Sequence, residues 1–123
     1  MKRLIIFISI CFTVALSSCY KDIINPGQDP NGPPQSVSFS GDVIPIFTKN
    51  CALSGCHEVG GHNPTLTVDN AYTALTTGGF INLAVPNQSA IYMVTKPGGQ
   101  MPTLNSSDLQ KILDWIRNGA PNN

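Results

Sequence analysis

The heptapeptide Cys51-Ala52-Leu53-Ser54-Gly55-Cys56-His57 sets two thiols and an imidazole within two turns of chain, and it lies in a stretch with little else to build a core from. Up to Val37 the sequence offers a short apolar run and then a proline- and glycine-rich segment. Roughly 84 residues, Ser38 to Pro121, are left for the folded part. A domain of that size buries little surface and needs a staple, a metal or a cofactor to be secure. Whatever joins Cys51, Cys56 and His57 is therefore expected to be part of the core.

The N-terminus reads as an export signal. Lys2 and Arg3 precede an apolar run from Leu4 to Leu16, too short for a membrane-spanning helix of about 20 residues and suited to a secretory h-region. Leu16-Ser17-Ser18-Cys19 resembles a bacterial lipobox, which assigns residues 1–18 to a lipoprotein signal peptide and makes Cys19 the lipidated residue. The plainer reading is an ordinary signal peptide with an incidental cysteine, and Cys11 is then a small apolar residue of the h-region. Residues 19–37 carry four prolines and two glycines between Pro26 and Pro34 and read as an extended tether. Cleavage before Cys19 would leave five basic residues against seven acidic ones, a formal charge of −2. No basic patch for nucleic acid exists, and the 11% charged fraction points to recognition by shape and apolar contact.

Residues 38–123 read as an all-α domain of three to five short helices with long loops. Val43, Ile46 and Phe47 share one face of a helix over 42–50, with Pro45 tolerated in its first turn. Asp69 is expected to cap a helix through about Thr76, with Tyr72 and Leu75 inward and Gly78-Gly79 ending it. Ser89 is expected to cap Ala90 to Thr95. The last helix is the clearest: Ser107 and Gln110 fit a capping box, and Leu109, Ile112, Leu113 and Ile116 form an amphipathic stripe. Arg117, Gly119 and Pro121 mark its end, and Trp115 is expected at the edge of the core. Phe80 to Val85 is the one ambiguous stretch, compatible with a short strand.

Two cysteines followed at once by a histidine suit covalent haem attachment. The thiols form thioethers with the two vinyl groups, and the adjacent imidazole becomes the proximal iron ligand. The usual spacer is two residues; here it is four, so the segment must bulge as a loop, which Ser54-Gly55 permits. Two other chemistries fit the same residues. One is a Cys51–Cys56 disulfide in an oxidising compartment; the other is a zinc site from Cys51, Cys56, His57 and His62. Downstream, Gly98-Gly99-Gln100-Met101-Pro102 puts a methionine in a glycine-rich loop, where a thioether could serve as the distal iron ligand. Met93 is the competitor for that role, on a short apolar helix where core packing is expected. His62 is close to His57 in sequence and is read as a solvated loop histidine. Glu58 and Lys49 are read as surface charges.

With DVIPIFTKNCALSGCH, AYTALTTGGF, SAIYMVTKPGGQMP and SSDLQKILDWIRNGA in hand, residues 38 to 121 resemble the small class I-like cytochrome c domains of bacterial lipoproteins and of planctomycete-type cytochromes. The resemblance implies a small cytochrome c fold around one covalent haem c. It implies thioethers at Cys51 and Cys56, proximal ligation by His57 and distal ligation by Met101. The function it implies is electron transfer rather than enzymatic turnover. The protein would be held by its lipid anchor at a membrane of the bacterial cell envelope, facing periplasm or cell exterior, and would meet a redox partner protein. Two other functions stay open: a haem protein with an open site in a sensory or catalytic role, and a haem-free structural lipoprotein with a disulfide.

Overall fold

The computed structural model describes residues 29–123, and among them are four α-helices and no strand. They are α1 (Ile44–Asn50), α2 (Ala71–Thr77), α3 (Ala90–Thr95) and α4 (Ser106–Arg117). A π-helical turn, Phe39–Val43, runs directly into α1, and a 3-10 turn, Pro86–Gln88, precedes α3. The described part of the chain is thus all-α, and Phe80 to Val85 forms no strand. The expected signal peptide (1–18), the expected lipidation site Cys19 and the first part of the expected tether lie outside the described residues. No helix among the described residues is long and apolar enough to cross a membrane.

Helical structure begins at Phe39, a turn before the expected Asp42, because Ser38 and Asp42 cap it reciprocally. Ser38 Oγ accepts from Gly41 N–H at 3.1 Å, and Asp42 Oδ2 accepts from Ser38 N–H at 3.0 Å. Pro45 falls in the first turn of α1, where its missing N–H costs nothing. Val43, Ile46 and Phe47 are all buried, as one face of this segment. The π turn packs on α4, and Lys111 Nζ reaches Asp42 Oδ1 at 3.1 Å across that contact.

Helix α4 carries the expected stripe, with Ile112, Leu113 and Ile116 buried and Leu109 partly so. Its start differs from expectation. Asn105, not Ser107, is the N-cap, and its side chain accepts from Asp108 N–H at 2.8 Å. Gln110 makes no capping box; it is buried and donates to Asp114 Oδ1 at 2.9 Å. Trp115 is a second correction, since it is fully buried rather than at the core's edge. Gly119, at φ +91°, turns the chain back so that the Pro121 carbonyl accepts from Trp115 Nε1 at 2.9 Å. With its one polar atom satisfied internally, the indole has no need of the surface. Phe39 lies against it with ring centroids 5.0 Å apart, and meets Tyr72 of α2 edge-on at 5.3 Å.

The other two caps also differ. Asp69 caps nothing: Asn70 is the N-cap residue of α2 and makes no side-chain cap bond, donating instead to Thr67 Oγ1. Ser89 is the N-cap residue of α3, as expected, but its hydroxyl makes no cap bond and instead accepts from Asn82 N–H at 2.9 Å. Residues from Gly32 to Val37, expected as unpacked tether, lie on the end of α4. Gln35 N–H donates to Asp114 Oδ2 at 3.2 Å, Asn118 Nδ2 donates to the Gln35 carbonyl, Arg117 donates to the Gly32 carbonyl, and Val37 is buried in the core. A short proline-rich segment has few backbone donors of its own, so side chains of α4 can hold it by its carbonyls.

Candidate functional site

The cysteine segment leaves α1 through its last turn. Cys51 N–H and Ala52 N–H both donate to the Phe47 carbonyl at 2.8 Å, which fixes Cys51 at the helix end beside the core. The four-residue spacer then bulges as expected. Cys56 N–H closes a turn onto the Leu53 carbonyl at 2.9 Å, and Gly55 sits at φ +77°. Glu58, expected as a surface charge, closes the same loop from outside: its Oε1 accepts from Gly55 N–H at 2.7 Å. Lys49 is exposed.

His57 is held more tightly than its sequence setting suggests. Its Nδ1 lies 2.9 Å from the Pro64 carbonyl and 3.1 Å from the His62 carbonyl. Both neighbours are acceptors, so they select the tautomer with the proton on Nδ1, which leaves the lone pair on Nε2. The segment that supplies these carbonyls is itself tied back: His62 N–H donates to Cys56 O at 2.6 Å and Leu66 N–H to His57 O at 2.8 Å. A hydrogen bond from the far ring nitrogen to a backbone carbonyl fixes tautomer and ring orientation in histidines that bind metals.

Cys51, Cys56, His57 and Met101 all line one apolar cleft of about 300 Å³. Its wall is completed by Leu66, Phe80 and the inner side of α3, where Ile91, Val94 and Thr95 face it. The exposed side chains of Leu53, Cys56, His62 and Met101 form an open rim. The two thiols differ sharply. Cys56 is exposed, while burial pushes the Cys51 thiol up to about 11, with nearby Cys56 adding to the effect. Met93 does not line the cleft. It is 39% exposed on the outer side of α3, so the expected core packing is not made. His62 is an exposed loop residue as expected, and its carbonyl rather than its ring serves His57.

The sequence reading passed over the carbonyls of the 62–64 segment and the wall from α3. The second was detectable, since Ile91, Val94 and Thr95 recur at i, i+3 and i+4 beside a short apolar run. The first depends on how the loop folds back and leaves no residue pattern. Cys51 and Cys56 are free thiols, and among the described residues no three His, Cys, Asp or Glu side chains converge as a metal site. What the cleft does present is two thiols, one oriented imidazole and one thioether around an apolar space. Comparison with protein-family models, curated proteins and solved structures finds no match to this chain.

Proposed function

We propose that the chain is a monohaem c-type cytochrome, a membrane-anchored electron carrier with the small cytochrome c fold. The observation that carries this reading is the convergence of Cys51, Cys56, His57 and Met101 on one apolar cleft. The donor set suits haem c. Two thiols would form the two thioethers, the imidazole with its pinned Nδ1 would ligate through Nε2, and the methionine sulfur would serve as a second iron ligand. The cleft volume falls at the lower end for cofactor sites, about 300 to 1,000 Å³, and its open rim would leave one haem edge at the surface.

When bound, haem iron supplies a one-electron couple; the chain's own residues decide how it is used. With both His57 and Met101 as ligands the iron would have no site left for a substrate, which suits transfer rather than turnover. A thioether ligand and an apolar wall raise the reduction potential by favouring the less charged state. Exchange with a redox partner protein would pass through the exposed edge, in an encounter that buries little surface. The anchor at Cys19 would confine that encounter to a membrane face of the cell envelope; two acyl chains hold a protein stably where one is marginal.

The test is a pyridine haemochrome spectrum of the full chain matured in a host with cytochrome c assembly machinery. A c-type spectrum that survives denaturation and acid-acetone extraction is expected. Pigment that extracts into the solvent, or no pigment, overturns the reading. For the anchor, Cys19→Ser should move the protein from the membrane to the soluble fraction; continued membrane partition would remove that part of the proposal.

A further inference from the structure

Met101 reaches the cleft from a loop with no apolar stripe, and it is itself 42% exposed, so packing does not hold it. Three backbone hydrogen bonds do. Gly99 N–H donates to Lys96 O at 2.9 Å, Met101 N–H to Val94 O at 2.9 Å, and Leu104 N–H to Thr95 O at 3.0 Å. Val94 and Thr95 belong to the last turn of α3, whose carbonyls have no partner within the helix. Because α3 also forms the cleft wall, the loop is fastened to the wall it must work against.

Gly99 stands where this fastening is closest. A Cβ at Gly99 would fall on the Val94 carbonyl oxygen and carbon and on the Met93 carbonyl oxygen. These are backbone atoms of a helix end and cannot rotate aside. The Val94 oxygen is also the acceptor for Met101 N–H. Gly98 is a different case: its φ of +82° suits glycine, but nothing lies near the position of an added Cβ. Gly98 shapes the turn, and Gly99 sets how near the turn comes to α3.

We infer that Gly99 is the positioning residue for Met101: with no side chain between loop and helix, the loop seats on Val94 and holds the thioether at the cleft. The inference rests on the haem reading for the role of that thioether. Any side chain at 99 lifts the loop off α3 and carries the sulfur with it.

The experiment compares wild type and Gly99→Ala, each as the full matured chain. The variant should retain covalent haem in wild-type amount but lose the Met–iron charge-transfer band, bind CO when reduced, and show a lowered midpoint potential. In parallel, amide exchange of Met101 should be protected in wild type and roughly tenfold faster in the variant, as for one lost hydrogen bond. A variant with the band and potential of wild type overturns the inference. So does an unprotected Met101 amide in wild type, and that measurement decides alone if the variant does not accumulate. Wild type without covalent haem would defeat the cofactor reading instead, and the amide comparison would still judge the seating of the loop.

Discussion

Two halves of this molecule are held by different forces. Around Phe39, Phe47, Trp115 and Ile116 the chain is fixed by fully buried side chains. Around Cys51 to Asn63 and Pro97 to Thr103 it is fixed mainly by single hydrogen bonds to backbone atoms, with Leu53, Val59 and Met101 left exposed. Packing tolerates no loss of volume but is indifferent to most of the surface. A loop held by individual bonds gives geometry without much stability. The site is built on the second kind of structure and leans on the first through α1 and α3.

The contrast can be broken most directly at Trp115. Trp115→Ala removes a fully buried ring and leaves the Pro121 carbonyl without its donor; about 3 to 5 kcal/mol should be lost in urea unfolding. That is most of the stability of a small domain. Asp114→Ala comes next. The carboxylate is buried and accepts from Gln110, Arg117 and Gln35, so its removal should cost about 3 kcal/mol and open residues 33–36 to protease. On the loop side, Glu58→Ala gives up one exposed bond to Gly55 and should cost about 1 kcal/mol or less, with Glu58→Gln nearer wild type. A loss comparable to that at Trp115 would mean that the cysteine loop is part of the core after all.

The smallest effect is at Asp42, where the Ser38 N–H and then Lys111 hold the carboxyl below its ordinary value of 3.8. A lowered folded-state value contributes stability above the unfolded one and loses it as pH falls through the folded one. Acid titration of stability below about pH 4 should therefore be shallower in Asp42→Asn than in wild type. An unchanged slope would assign acid sensitivity to other carboxylates.

Sequence patterns carried the packed half well where they were periodic. The α4 stripe, the face of Val43, Ile46 and Phe47, and the stop at Gly119 all follow from spacing and backbone chemistry. Single-residue assignments fared worse, because several residues can play one part. Asn105 caps α4 two residues before Ser107, and Gln110, freed from a capping box, turns inward to a buried carboxylate. Asp114 has a partner in Gln35, and no local pattern shows a contact made so far along the chain. In the site, chemistry singled out residues that share a cleft, while the atoms that orient them are backbone carbonyls of Pro64, His62 and Val94. Every residue has such a carbonyl, so composition and spacing cannot say which one is used.

The strap of Gly32 to Val37 across the end of α4 has a mechanical side. A tug arriving from the N-terminal direction is met first by Gly32 on Arg117, then by Gln35 on Asp114 and Asn118. The load passes into α4 and the core behind it, not into the loops that carry Cys56, His57 or Met101. Tension from that side can thus be borne without deforming the cleft, and the first bonds to yield would peel the strap before Cys56, His57 or Met101 felt any strain.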